Sequence, residues 1–506
     1  MGDLQNRVLE NRHVKNVVIG AGMAGLLTAY LLQEQGMEVL VLEADRVASG
    51  QTGRTTAKIT AQHGLYYGEM IKKVGVDRAR GYAIANTEAI RAYEDMIARE
   101  NIECDFKRLP SYLYTMEESG RKKLYREVEA AGRLGLDARY VGGEWIEELP
   151  FSVKGAVCFE RQAQFQPMKF VEAISRKLEI CEHTRVLDVE DHLVTTSAGT
   201  LVADNIIFAC HYPFLITPGC YFLRQHQERS YVLVLGRKSD AGSTQPWSWE
   251  SAARGALDRG EDPVPGELSG MYYGIDKGGL SLRSEGEYLL LGGGAHRTGK
   301  KFCCNKTVED ERGCGDKVGS NGGLYGYDYL RKAAGRYYPE AAEVAAWSAQ
   351  DCMPHDRIPF IGRYSILKPY WYVATGFQKW GMSSSMAAAI IISDKIGGRE
   401  SAHEWVFAPQ RFLPRAGVGN FCIDVGESLV GLTRGWIGGK KNRCTHMGCG
   451  LHWNPEEETK DCPCHGSRFE RDGRLLDGPA NKGISGCSEE KAEPDNAGKS
   501  SPWNAL

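Results

Sequence analysis

The chain lacks an excess of either charge. Its 506 residues hold 62 Lys and Arg against 65 Asp and Glu, a formal net charge of −3. That balance cannot neutralise a nucleic-acid backbone or an anionic bilayer surface, so neither is expected as a partner. Long hydrophobic runs are also missing. The nearest candidate, Val17–Leu32, falls short of the ~20 apolar residues a bilayer span needs. It also holds Gly20, Gly22 and Gly25, which distinguish it from the core of a secretory signal. No membrane span is expected, and the address expected is the cytoplasm. Cysteine is too sparse for a disulfide scaffold, at 15 in 506 and an odd number. Four of them, Cys444, Cys449, Cys462 and Cys464, nevertheless fall within 21 residues.

What the chain has in quantity is glycine, 60 of 506, well above the usual ~7%. The length allows two to four domains with a buried core. Asn16–Ile19 reads as a buried strand, Ala24–Gln35 as a helix ended by Gly36, and Val39–Leu42 as a second strand, a βαβ opening of a parallel sheet. Further helical patterns (Thr87–Arg99, Met168–Leu178) and strands (Val186–Val189, Ile206–Ala209, Tyr288–Leu291) follow without a clean linker. The expected fold is an α/β body with a Rossmann-type nucleotide-binding part and an interleaved substrate domain, over residues 1–400. It closes at Gly397–Glu400, after the apolar helix Met386–Ile396. The chain then turns to short strands and glycine turns, and a small all-β module fits residues 415–485. Residues 486–506 are polar and read as a disordered tail; Gly313–Gly326 reads as a surface loop. There are no internal repeats.

Gly20-x-Gly22-x-x-Gly25 sits between strand and helix, with Glu43 at the end of the next strand. Gly20 permits a tight turn, Gly22 a close approach of a pyrophosphate, and Gly25 the packing of helix on strand, while Glu43 can accept bonds from a ribose. The motif alone does not separate FAD from NAD. After it, Ser49–Ala57 is rich in hydroxyls and amides and suits an extended cofactor.

This pattern resembles the D-amino-acid oxidase-like family of FAD-dependent oxidoreductases. A second match is Ala374–Met382, leading into the helix Ser384–Ile396. The resemblance covers about residues 14–398 and implies FAD contacts at Gly20, Gly22, Met23, Ala24, Gly25, Glu43, Ala44, Gly50, Thr52, Arg54, Thr55, Thr56, Val186, Gly376, Lys379, Trp380, Gly381 and Met382. A helix N-terminus carries about half a positive charge, and Lys379 adds a full one, so negative charge on a reduced flavin is stabilised there. Arg283 is a candidate anchor for a substrate carboxylate, the role arginine plays in amino-acid oxidases. Gly292–Gly294 suggests a second nucleotide loop, but no apolar helix follows it, so NAD(P)H is not expected as donor.

Cys444-x-His446 and Cys462-x-x-His465 supply one cysteine and one histidine from each of two loops. Zinc fingers pair their ligands differently, whereas a Rieske 2Fe-2S centre puts both thiolates on one iron and both imidazoles on the other. Cys444–Cys449 and Cys462–Ser467 resemble the loops of the Rieske proteins of respiratory cytochrome complexes. That resemblance implies Cys444, His446, Cys462 and His465 as iron ligands, and a disulfide between Cys449 and Cys464. It also implies a hydroxyl donor to the cluster at Ser467, and a covering proline loop at Gly478-Pro479-Ala480. Phe469 stands where high-potential members have a tyrosine, which implies a potential in the middle of the Rieske range of about −150 to +300 mV. The stretch Phe421–Arg443 is short for the strands expected before the first loop.

His63, His296 and His355 are lone histidines that could act as bases. Cys303, Cys304 and Cys314 lack histidines at ligand spacing. A Rieske oxygenase would need a mononuclear site of two histidines and a carboxylate, and no such triad is legible. The expected function is oxidation of a small organic substrate, an amine or amino acid by analogy. Electrons would leave FAD singly through the cluster to an external one-electron acceptor or donor protein. The alternative is an electron-transfer flavo-iron-sulfur protein with no organic substrate of its own.

Overall fold

A computed structural model describes residues 9–10, 12–238, 267–300, 326–439 and 442–484. The polar C-terminal stretch, Cys303, Cys304, Cys314 and the 313–325 loop fall outside them, while Gly326 opens the helix Gly326–Tyr337. The apolar run at the start of the chain becomes the strand Arg12–Ile19, paired in parallel with Val39–Leu42 on one side and Gly199–Phe208 on the other. Gly199–Phe208 is in turn parallel to Lys368–Thr375. Val39–Leu42 is buried at every position, as expected for a parallel strand covered on both faces. The covering helices Met23–Glu34 and Gly381–Ile396 pack against each other, which brings the two glycine-rich segments of the sequence to one end of the sheet.

A second, nine-stranded sheet carries the remainder of the body. Its edge is Ala342–Pro354 paired antiparallel with Gln225–Gly236, which is followed by Tyr288–Arg297. Gly292–Gly294 are thus ladder residues of a strand and not a nucleotide loop. The buried carboxylate of Glu127 accepts the backbone N–H groups of Tyr66, Tyr67 and Gly68 at 2.9, 2.6 and 3.0 Å, satisfying the start of the helix Tyr67–Val74.

The C-terminal module has a four-stranded antiparallel sheet of three-residue strands, His452–Asn454, Thr459–Asp461, Arg468–Glu470 and Leu475–Asp477. Ahead of it the expected short strands are replaced by one helix, Pro414–Ile437. Its glycines read as turns in the sequence, yet two of them, Gly431 and Gly435, serve close approach. A Cβ at Gly431 would lie 2.4 Å from Cys464 Sγ, and one at Gly435 2.0 Å from Gly448 O. Among the described residues no helix is long and apolar enough to cross a membrane.

Module and body meet through buried charge. Glu457 Oε2 pairs with Arg229 of the body at 2.5 Å and with Arg468 of the module at 3.2 Å; Arg468 also pairs with Asp461 at 3.2 Å. All four side chains are at most 2% exposed. Removing one partner of such a network leaves a desolvated charge behind, at a cost of about 3–5 kcal/mol. Glu457→Gln is therefore expected to lower the denaturant midpoint at which the module's visible absorption is lost, an effect absent from a control at the exposed pair Lys15–Asp204.

Candidate functional site

The first cavity, about 700 Å³, opens where the parallel strands end. Gly20 has φ +108°, and a Cβ there would lie 2.7 Å from Ala209 O; one at Gly25 would lie 1.9 Å from Gly20 O, so the helix rests directly on the turn. Met23 N–H donates to Thr52 Oγ1 at 2.9 Å, fastening the helix start to the hydroxyl-rich segment. Glu43 accepts from Ala21 N–H at 2.7 Å and Asp45 N–H at 2.9 Å. Burial pushes its carboxyl up, and these donors pull against that shift.

Gly20, Gly22, Met23, Ala24, Glu43, Ala44, Gly50, Thr52, Arg54, Thr55, Val186, Lys379, Gly381 and Met382 all line this cavity. Gly25 lies behind the turn, and Thr56 and Trp380 face the second cavity. Gly376 lines neither; it turns the chain at φ +79°, where a Cβ would lie 2.4 Å from Pro354 Cγ. The glycine turn, carboxylate, small-residue segment and distant helix start form one continuous lining, which fits an FAD.

The second cavity, about 590 Å³, shares Arg54, Thr55, Asp351, Gln378, Lys379 and Met382 with the first. Its own lining includes Lys58, Tyr273, Arg357 and His63. The His63 ring stacks on Trp380 at 4.8 Å, burial pulls its imidazole down to about 3, and both ring nitrogens are engaged, Nδ1 with Tyr82 OH at 2.6 Å and Nε2 with Thr60 O at 2.7 Å. Lys58 donates to Tyr272 O at 3.0 Å, and burial with the nearby Arg283 charge pulls its ammonium down to about 7. Arg357 pairs with Glu69 at 2.7 Å.

Lys379 is half-buried and committed: it donates to Ser230 Oγ at 3.1 Å and pairs with Glu228 at 3.4 Å, and the neighbouring carboxylate raises its ammonium against the opposing desolvation. Arg283 lines neither cavity. Its guanidinium pairs with Glu285 and donates to Thr56 O at 2.6 Å and Ala57 O at 3.2 Å. The expected carboxylate anchor is thus a buried bracket for the segment beside the first cavity. His296 bonds Tyr231 OH at 2.9 Å and is likewise structural.

In the C-terminal module the rings of His446 and His465 lie 5.1 Å apart at 88°, and both Nδ1 atoms are buried without a hydrogen-bond partner. Burial pulls the two imidazoles down to about 4 and about 3, leaving the neutral form that binds metal. Cys444 and Cys462 are buried, and the neighbouring Cys462 thiol, with burial, pushes the Cys444 thiol up while the Ser467 hydroxyl pulls against that shift. Two orphaned imidazole nitrogens facing two buried thiols fit a Rieske cluster. The expected Cys449–Cys464 disulfide is not formed. Both thiols are free, and their sulfurs share a space with that of Cys462 in which all three lie within 4.8 Å, beside the Gly431 backbone; a bond requires ~2.05 Å.

The loops abut the first cavity. Asp477, Gly478, Pro479 and Ala480 line it. Gln227 of the body donates to His465 O at 2.8 Å and Gly478 O at 3.1 Å. Gln350 donates to Gly466 O at 3.2 Å and Asp477 Oδ2 at 2.9 Å, and Gln51 reaches the same carboxylate at 3.0 Å. Phe222 stands edge-on to His465 with centroids 5.9 Å apart. Sequence reasoning reached Gln51 only as part of the amide- and hydroxyl-rich Ser49–Ala57 segment and missed Gln227, Gln350, Lys58 and Arg357, because none of these belongs to a spaced motif. It also missed that His226, His355 and Asp424 converge.

Residues 15–395 match the family model for FAD dependent oxidoreductases (DAO), and residues 422–487 the Rieske [2Fe-2S] domain. YhfW of Bacillus subtilis (strain 168), whose name carries the words Rieske 2Fe-2S iron-sulfur protein, is 32% identical over 92% of this chain and 91% of its own length. The chloroplastic cytochrome b6-f complex iron-sulfur subunit of Oryza sativa is 29% identical over 28% of this chain and 68% of its own. The glycine oxidase of Geobacillus kaustophilus shares the fold with a TM-score of 0.60 at 15% identity, over 79% of this chain and all of that one. The L-proline dehydrogenase of P. horikoshii does so with a TM-score of 0.58 at 16% identity, over 79% of this chain and 98% of that one. With one model spanning most of its length and a relative aligned nearly end to end, this chain belongs to the FAD dependent oxidoreductase family, extended by a Rieske domain, and carries FAD and a 2Fe-2S cluster.

Proposed function

We propose that the chain, with residues 1–400 as flavin body and 415–485 as cluster module, oxidises a small amine or amino acid in the second cavity and delivers the electrons singly to an external protein acceptor. The observation that carries this reading is the shared wall: the two cavities meet at Arg54, Thr55, Asp351, Gln378, Lys379 and Met382, while the Asp477–Ala480 stretch bounds the first from the cluster side. When bound, the flavin supplies two-electron oxidation and the cluster one-electron carriage. The named glycine oxidase and L-proline dehydrogenase support the substrate class as analogy of fold.

The chain's own residues have separable tasks. Arg357, at the cavity wall and partly exposed, takes a substrate carboxylate, the role first expected of Arg283. Lys58, down to about 7, exchanges a proton with a substrate ammonium near neutral pH. Trp380, stacked on His63 and met edge-on by Tyr273 at 5.5 Å, keeps water from the reacting face. Lys379 keeps a positive charge at the boundary of the cavities. Cys444, His446, Cys462 and His465 hold the cluster, with Ser467 and the fully buried Phe469 beside it.

An anaerobic screen of amines and amino acids, following flavin absorbance and the reduced cluster's paramagnetic signal together, tests the whole reading. Substrate is expected to bleach the flavin and raise the cluster signal; bleaching only by a partner protein would instead establish an electron carrier. The flavin-reduction rate is expected to climb as Lys58 loses its proton through about pH 7. Lys58→Met should slow the reaction by roughly 10²–10⁴-fold and flatten that limb in stopped-flow measurements, and an unchanged profile would remove Lys58 from the role. Phe469→Tyr is expected to raise the cluster's midpoint in a redox titration by adding a hydrogen-bond donor; a lower or unmoved midpoint would count against it.

A further inference from the structure

Outside the lining of both cavities, three side chains that are remote in sequence meet at one oxygen. His226 lies on the strand Gln225–Gly236, and its register partner is Met353, two residues before His355. Asp424 comes down on the pair from the helix Pro414–Ile437. His226 Nδ1 and His355 Nε2 both point at Asp424 Oδ2, at 2.9 and 2.5 Å, and one donor atom from each residue lies within 4.8 Å of the other two. His355 and Asp424 are buried and His226 nearly so.

We propose that His226, His355 and Asp424 bind a divalent first-row transition ion, Fe²⁺ or Zn²⁺, distinct from the Rieske cluster. Two imidazoles and one carboxylate form the donor set that both ions favour. The surroundings are those of ligands held by outer partners. Asp424 Oδ1, the oxygen not shared by the imidazoles, is bonded by Arg297. The other nitrogen of His226 faces Glu228 Oε1 at 3.8 Å, a carboxylate behind a histidine ligand. The backbone carbonyl of His355 accepts from Asn420 on the same helix as Asp424, at 2.8 Å. Donors of a tetrahedral site with bonds of ~2.0–2.1 Å stand roughly 3.3 Å apart, so the ion would lengthen each imidazole–carboxylate separation by less than about 1 Å.

The ion's place in the fold indicates its task. None of the three residues lines either cavity. Two belong to the flavin body and one to the helix that leads into the cluster module. Arg297 carries the linkage on, donating to Pro463 O at 2.8 Å and Cys464 O at 3.0 Å in the second ligand loop. The ion would therefore pin the module to the body, a structural clamp and not a second reaction centre.

The test is elemental analysis of the holoprotein, isolated anaerobically, with acid-labile sulfide measured on the same sample. A third metal per chain, beyond two irons matched by two sulfides, is expected either as isolated or after incubation with Fe²⁺ or Zn²⁺ followed by desalting; which ion is retained identifies the metal. His226→Gln and Asp424→Asn should each abolish the third metal while leaving the cluster's sulfide content and paramagnetic signal in place. Glu228→Gln should weaken uptake by about 10–100-fold. Wild-type protein with cluster iron alone and no uptake of either ion overturns the site, as does uptake undiminished in both ligand variants. His226→Gln leaves the Arg297–Asp424 pair intact, so the result does not depend on Asp424→Asn folding.

Discussion

The Arg229–Glu457–Arg468–Asp461 network is the constraint on which the rest of the molecule depends. Four charges removed from water are tolerable only while each has its partner. Body and module share those partners, so the chain cannot separate the two without exposing or orphaning charge. The neighbouring contacts follow from this docking. Arg468 reaches the lining of the first cavity, Gln227 meets the backbone of His465, and the stretch after Asp477 becomes a wall of the flavin site.

Much of this was legible in the sequence where chemistry demands a residue type at a fixed spacing. Gly20, Gly22, Gly25 and Glu43 announced the first cavity because backbone must approach backbone there, and the contacts a Cβ would make show how little room is left. Cys444, His446, Cys462 and His465 were equally plain. Position in space was less so. Arg283 carries the right charge for a substrate anchor, yet its partner Glu285 is two residues away on the same strand and turns it inward. Gly417, Gly419, Gly426, Gly431 and Gly435 suggested turns, but all lie in one helix, and where it is pressed against sulfur and backbone, at Gly431 and Gly435, it needs small residues. The glutamines between cavity and cluster, and the His226–His355–Asp424 group, arise from strand register and helix docking, which no local pattern encodes.

The two cavities divide the chemistry by their walls. Both carry cations and glycines, but only the first has the Glu43 carboxylate and the Ser49–Thr52 hydroxyls and amide, only the second has Lys58 and Arg357, and Lys379 belongs to both while spending its charge on Glu228. A lysine held in this way supplies field without being free to act as a nucleophile or base.

The cluster has an inner and an outer imidazole. His465 is only 4% exposed and faces Phe222 and Gln227, whereas His446 is half-buried. A module locked against the body in this orientation does not need to swing between donor and acceptor. On the proposed relay, a hop between flavin and iron would run over a fixed span, insensitive to solvent viscosity, and only the exchange past His446 with an outside protein would depend on diffusion.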